Sequence, residues 1–135
     1  MKLQPDRFDF PAVTGYGSDW VAVLGEKVTA STIICSDGQR LDWACRRFEN
    51  LTAQHFEQLA QLPIEVVIFG SGQKLRFAPP ALMQSLMQKR IGLETMDTQA
   101  ACRTYNILAG EGRKVALALL METSWAAKAI PKISS

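Results

Sequence analysis

A chain of 135 residues with 15 Lys and Arg against 13 Asp and Glu is the size of one domain and carries a net charge of only +2, which argues against a two-domain enzyme and against a nucleic-acid partner. With 47% hydrophobic and 21% charged residues, it has a core large enough to fold without staples. Cys35, Cys45 and Cys102 form no close pair, the charged start does not read as a signal peptide and the apolar run 115–121 is too short to span a bilayer, so the expectation is a cytoplasmic chain with neither disulfides nor a transmembrane segment.

Residues 20–24 and 28–35 are β-branched and aromatic runs, and Leu24-Gly25-Glu26-Lys27 between them places glycine at the first central position of a type II′ turn. Val28, Ala30, Thr32 and Ile34 share one face of the second run. Asp37-Gly38 offers a type I′ turn into 40–45, where Leu41, Trp43 and Cys45 alternate with Arg40, Asp42 and Ala44. These runs predict a three-stranded antiparallel meander.

Thr52 reads as the N-cap of a helix over 53–62, with Leu51 and Phe56 as its hydrophobic staple and Phe56, Leu59 and Ala60 as its inner stripe, ended by Pro63. Residues 64–69 form an apolar run whose single charge is Glu65 and which ends in Gly70-Ser71-Gly72; this predicts a central strand covered on both faces. After a short extension over 74–77, Pro80 opens a helix with the stripe Leu82, Met83, Leu86 and Met87, capped by Gly92. A strand over 93–96, a helix from Asp97-Thr98 to about Ala109 ended by Gly110 and Gly112, and a last strand over 114–120 follow. Strands alternating with helices imply an α/β fold class with right-handed crossovers and parallel pairs. Residues 122–135 read as a tail with a helical piece over 125–130 before Pro131.

Gly70-Ser71-Gly72 lies at the carboxyl end of a buried strand, where ligands sit in open α/β sheets. A nucleotide fingerprint needs a third glycine, and Leu75 stands in its place. The motif is therefore either a tight turn needing positive φ or an anion site assisted by Lys74 and Arg76. On the helix 98–109, Ala101, Tyr105, Leu108 and Ala109 form the core face, Arg103 and Ile107 lie opposite, and Cys102 and Asn106 share a flank. Arg103 beside Ile107 and Asn106 reads as a contact patch, since arginine anchors are enriched at interfaces. In the other reading Ile107 packs under the tail and Arg103 pairs with a carboxylate. Cys102 sits in the second helical turn and His55, the one imidazole, reads as a solvated surface residue, so a cysteine nucleophile is not expected. Cys35 and Cys45 read as small core residues. Asp97 reads as a helix cap. One His and no clustered Cys or carboxylates give no metal site, and neither a catalytic set nor a cofactor is predicted.

The run Glu94-Thr95-Met96-Asp97-Thr98-Gln99-Ala100-Ala101-Cys102-Arg103-Thr104-Tyr105-Asn106-Ile107-Leu108, followed by Glu111-Gly112-Arg113, closely resembles the signature of an uncharacterised-domain family of small bacterial and archaeal proteins. The mitochondrial relative of that family is complex I (NADH dehydrogenase) assembly factor 3. The resemblance reaches back through Pro79 and Gly70-Ser71-Gly72 to the Trp43 region, covering a domain over 15–120 between an extension over 1–14 and the tail 121–135. It implies a compact three-layer α/β domain with a central mixed sheet, no established catalytic activity, and a role in assembling a respiratory complex in the mitochondrial relative. Two functions stay open: a non-enzymatic interaction or assembly factor with a protein partner, itself free to be a homo-oligomer, and a small-molecule or anion binder. Both would use Gly70, Ser71, Gly72, Asp97, Thr98, Cys102, Arg103 and Asn106.

Overall fold

The computed structural model describes residues 9–122; the helical piece expected over 125–130 lies outside the described residues. β1 (Val13–Tyr16), β2 (Val21–Val23) and β3 (Glu26–Val28) form a small antiparallel sheet. β4 (Thr32–Cys35), β5 (Arg40–Asp42), β6 (Val66–Gly70), β7 (Gly92–Met96) and β8 (Val115–Leu119) form a mixed sheet in the order β5-β4-β8-β6-β7. In it β6 runs parallel to β7 and β8, while β4 is antiparallel to β5 and β8.

The expected meander is thus divided between two sheets. The run 28–35 breaks after β3 because Thr29 and Ala30 are exposed and Ser31 spends its hydroxyl on the Met121 N–H at 2.8 Å. Long-range partners, not strand propensity, decide which sheet each half joins. Both turn types differ from expectation as well. Val23 pairs with Glu26, so Leu24 and Gly25 are the central residues, with φ 51° and 85°, which makes a type I′ turn. In the next hairpin the Gly38 N–H donates to Cys35 O at 3.0 Å and Gly38 has φ 108°, a type I turn closed by a glycine bulge.

α1 (Ala53–Ala60) buries Phe56, Leu59 and Ala60 as its spacing predicts. Its first turn is tied by His55, which is half-buried rather than solvated. Nδ1 accepts from the Thr52 N–H at 2.9 Å, and Nε2 lies 2.8 Å from Ala44 O, so Nε2 carries the proton and donates. Pro80–Met83 form a 3₁₀ turn ahead of a short α2 (Gln84–Gln88). Gly92 does not cap it. The Ile91 N–H donates to Leu86 O at 2.9 Å and the Arg90 N–H to Met87 O at 3.0 Å, with Arg90 at φ 57°. This is a Schellman cap in which the buried Leu86–Ile91 pair fixes the spacing and leaves an arginine at the left-handed position. Gly92 is instead the first paired residue of β7.

β6 and β8 are buried along their whole length, with β8 rather than β6 in the middle of the five strands. Their residues alternate between two cores. Val67 and Phe69 meet Phe56, Leu59 and Leu86 beneath α1 and α2. There Trp43, Phe56 and Phe69 pack edge-to-face, with ring centroids 5.8–6.1 Å apart, each pair contributing about 0.5–1.5 kcal/mol beyond its burial. On the other face Ile68, Leu117 and Leu119 meet α3 (Thr98–Gly110) and Val13, Val21 and Val23 of the small sheet. The result is a three-layer α/β domain. Its core takes in Phe10 and Ala12, ahead of residue 15, and Leu120 and Met121 at the other end. Among the described residues no helix is long and apolar enough to cross a membrane.

Candidate functional site

The carboxyl end of β6 is held by a set of backbone bonds. The Leu120 N–H donates to Gly70 O at 2.9 Å, the Ser71 N–H to Met96 O at 2.8 Å and the Thr98 N–H to Gly72 O at 2.8 Å. Gly70, Ser71, Gly72, Asp97 and Thr98 are thereby brought together where β6, β7, β8 and the start of α3 meet. Gly70 is there for packing. A Cβ on it would lie 2.7 Å from Leu119 Cδ2 and 3.2 Å from Ala101 Cβ, so a side chain would have to displace the Leu119 tip and press against α3. Gly72 has φ +113°, which a β-carbon disfavours. Ser71 is fully buried; its hydroxyl donates to Lys74 O at 2.8 Å and accepts from the Arg76 N–H at 2.9 Å, closing the loop on itself. Asp97 accepts from the Ala100 N–H at 2.9 Å as the N-cap of α3.

Arg76 does not stand ready for an anion. Its guanidinium donates to both oxygens of Glu122 at 2.8 and 3.3 Å and to Ser71 O at 2.7 Å, and lies 4.6 Å from the centroid of the Phe48 ring. Glu122 also accepts from the Phe48 N–H at 2.7 Å. The charge is matched where it sits. A crevice of about 480 Å³ opens beside this pair, its lining including Gly72, Lys74, Thr98, Asp19, Arg46 and Arg47. Arg47 is paired with Glu49 at 3.0 Å.

α3 places the remaining candidates. Tyr105 is fully buried, its hydroxyl donating to Pro11 O at 2.9 Å and its ring meeting Phe10 edge-on. Cys102 is buried one turn earlier, and burial pushes its thiol up to about 12, an effect only partly offset by the charge of Arg103. It is a neutral core thiol at physiological pH. His55 supplies no base, since it sits on α1 on the opposite face of the mixed sheet. Cys35 is likewise pushed up to about 12 by burial.

Asn106 is not a free flank residue. Its Nδ2 donates to Val13 O at 2.8 Å and its Oδ1 accepts from the Val13 N–H at 2.9 Å, so the amide takes the place of a neighbouring strand along the open side of β1. Arg103 is exposed and donates to the Tyr16 hydroxyl at 3.1 Å, with no carboxylate bound to it among the described residues. Ile107, one turn on, is 60% exposed. Of the predicted polar site residues, Arg103 is the one whose charged head faces solvent. Of the two cations read beside the loop, Lys74 is free among the described residues and lines the crevice, whereas Arg46, also in its lining, and the exposed Leu75 and Phe77 carried no expectation from the sequence; the unpaired apolar residues in a proline-bounded loop were the available signal.

The sequence profile of a family described as "Protein of unknown function (DUF498/DUF598)" matches residues 13–120. The chain belongs to this family. NADH dehydrogenase [ubiquinone] 1 alpha subcomplex assembly factor 3 of Homo sapiens is 30% identical over 120 residues, covering 87% of this chain and 65% of that protein. The chain spans 66% of the Xenopus tropicalis relative of the same name and 59% of the Mus musculus one, less than two-thirds of each. The fold is also that of a crystal structure from Bordetella parapertussis, with a TM-score of 0.79 at 35% identity over 84% of this chain and 97% of that one. A solution structure from Bordetella pertussis, titled a Mth938-like domain, gives a TM-score of 0.77 at 30% identity over 90% and 93% of the two chains. Relatives of the chain thus include proteins named as complex I assembly factors.

Proposed function

We propose that the chain is a non-catalytic protein-binding factor of the assembly type, acting on a respiratory complex. Its contact surface is the outer stripe of α3, centred on Arg103 and Ile107 and bordered by the Gly70-Ser71-Gly72 end of β6. The observation that carries this reading is the division of labour on α3. Asp97, Cys102, Tyr105 and Asn106 are spent inside the fold, while Arg103 and Ile107 project outward as a charged anchor beside an apolar contact. The relatives named as complex I assembly factors support it. The reading as an anion or small-molecule binder loses Ser71 and Arg76, whose polar groups are already bonded to the loop backbone and to Glu122, and keeps only Lys74 of the groups first read beside the loop. Cys35, Cys45 and Cys102 are all unpaired, which suits the reducing setting of the cytoplasm. Affinity capture from the chain's own cell extract tests the proposal, with Arg103→Ala and Ile107→Glu beside the wild type and melting curves on each. The expected result is a protein partner held by the wild type and lost by both variants at unchanged Tm. Equal capture by all three overturns it.

A further inference from the structure

Residues 75–79 alternate between outside and inside: Leu75, Phe77 and Pro79 are exposed, Arg76 is half-buried and Ala78 is buried. Exposure reaches 52% for Leu75 and 70% for Phe77. The inward residues anchor the segment, Arg76 through Glu122, Ser71 O and the Phe48 ring and Ala78 through the core under α1. An extended backbone pinned at every second residue presents the others in fixed positions, so little order remains to be lost when they are covered. Lys74, next along, lines the crevice with Arg46. Neither makes an ion pair or side-chain hydrogen bond among the described residues, whereas Arg47 and Arg76 are matched by Glu49 and Glu122. Asp19 is the one unpaired carboxylate of the crevice, so its free charge is two cations against one anion.

We infer that the loop 74–77 and the adjoining crevice dock an acidic, apolar stretch of a protein partner, its apolar side chains covering Leu75 and Phe77 and its carboxylates meeting Lys74 and Arg46. This rests on the protein-binding reading but on different residues from those of α3. Charge complementarity selects the occupant. Residues 123–135 carry Lys128 and Lys132 and no Asp or Glu, so the chain's own C-terminal segment does not match. The concave crevice beside the apolar pair suits a peptide segment, whereas a bilayer meets a convex surface.

A random dodecapeptide display library, selected on the immobilised full chain, tests this. Enriched peptides are expected to combine Asp or Glu with Leu, Phe or Trp. Phe77→Ser and Lys74→Glu are each expected to weaken them about tenfold or more at unchanged Tm, while Arg103→Ala leaves them unchanged. Failure to enrich, enrichment of peptides without acidic residues, or binding indifferent to both variants overturns the inference. So does sedimentation with phosphatidylserine vesicles that depends on Phe77, which assigns the patch to a membrane, or a concentration-dependent dimer abolished by Phe77→Ser. If the cell-extract partner is lost with Arg103→Ala and kept with Phe77→Ser, this inference fails and the α3 reading stands; the reverse pattern removes the α3 reading and retains this one.

Discussion

Asn106→Ala measures how far a polar residue of α3 serves the fold. The side chain makes two bonds to one residue, at 2.8 and 2.9 Å, and Val13 is only 6% exposed. Removing the amide leaves a buried N–H and a buried C=O of β1 without partners, and an unsatisfied backbone group costs roughly 1–3 kcal/mol. Because Asn106 itself is half-buried, water repays part of this, and the expected loss is about 2–4 kcal/mol rather than the ~1 kcal/mol or less of an ordinary surface site. For a domain of this size that corresponds to a fall in Tm of roughly 8–15 °C. Asn106→Asp does not rescue: it keeps the acceptor for the Val13 N–H but sets a carboxylate oxygen against the Val13 carbonyl. Urea unfolding at constant m-value gives the free energies, and hydrogen exchange at the Val13 amide should accelerate in step. A loss below about 1 kcal/mol with the Val13 amide still protected would refute the clamp.

Three further outcomes follow from the packing. Tyr105→Ala empties a fully buried ring site and should cost about 3–5 kcal/mol in urea unfolding, whereas Tyr105→Phe loses only the bond to Pro11 O, about 1 kcal/mol or somewhat more. Gly70→Ala brings a methyl within 2.7 Å of Leu119 Cδ2 and should cost roughly 1–3 kcal/mol by the same measurement; a neutral result would mean that Leu119 swings aside freely. The Cys102 thiol, raised from 9.0 to about 12 by burial, stays protonated in the fold after the unfolded chain has begun to ionise. Its contribution is therefore complete below pH 9 and is lost progressively towards pH 12. Cys102→Ala should flatten that alkaline decline, and alkylation of the folded wild type should show no inflection below that of a free cysteine.

The periodic elements were legible because their signals are local. The stripe Phe56, Leu59 and Ala60, the core face of α3 and the buried runs of β6 and β8 follow from spacing alone. The partners of those elements were not. The run 28–35 has one continuous strand pattern, yet its halves lie in different sheets, since pairing is settled by β2 and β8 rather than by propensity. Arg90 in the left-handed region shows the same limit: packing of Leu86 on Ile91 sets the length of the cap, and glycine two residues later is used for a strand. In the candidate site the Asp97 cap was readable from its position. The clamp of Asn106 on Val13, 93 residues away, has no local signature, nor does His55 bridging Thr52 and Ala44 in place of the Glu or Gln usual at that position.

The signature itself changes meaning once its residues are placed. Gly70 lets α3 approach the sheet, Ser71 closes the following loop, Asp97 caps α3, Tyr105 holds Pro11 and Asn106 holds β1. Gly70, Tyr105 and Asn106 tie neighbouring layers together, while Ser71 and Asp97 fix the loop and the helix start between them, so these residues act as a joint of the architecture. A joint of this kind fixes the relative placement of surfaces without being one of them. What a partner meets is then set by side chains that project from it, Arg103 and Ile107 on α3 and Lys74, Leu75 and Phe77 on the loop. Substitutions at the joint and at these positions should therefore separate cleanly: the first lowers stability before it touches binding, and the second alters binding while the melting curve stays in place.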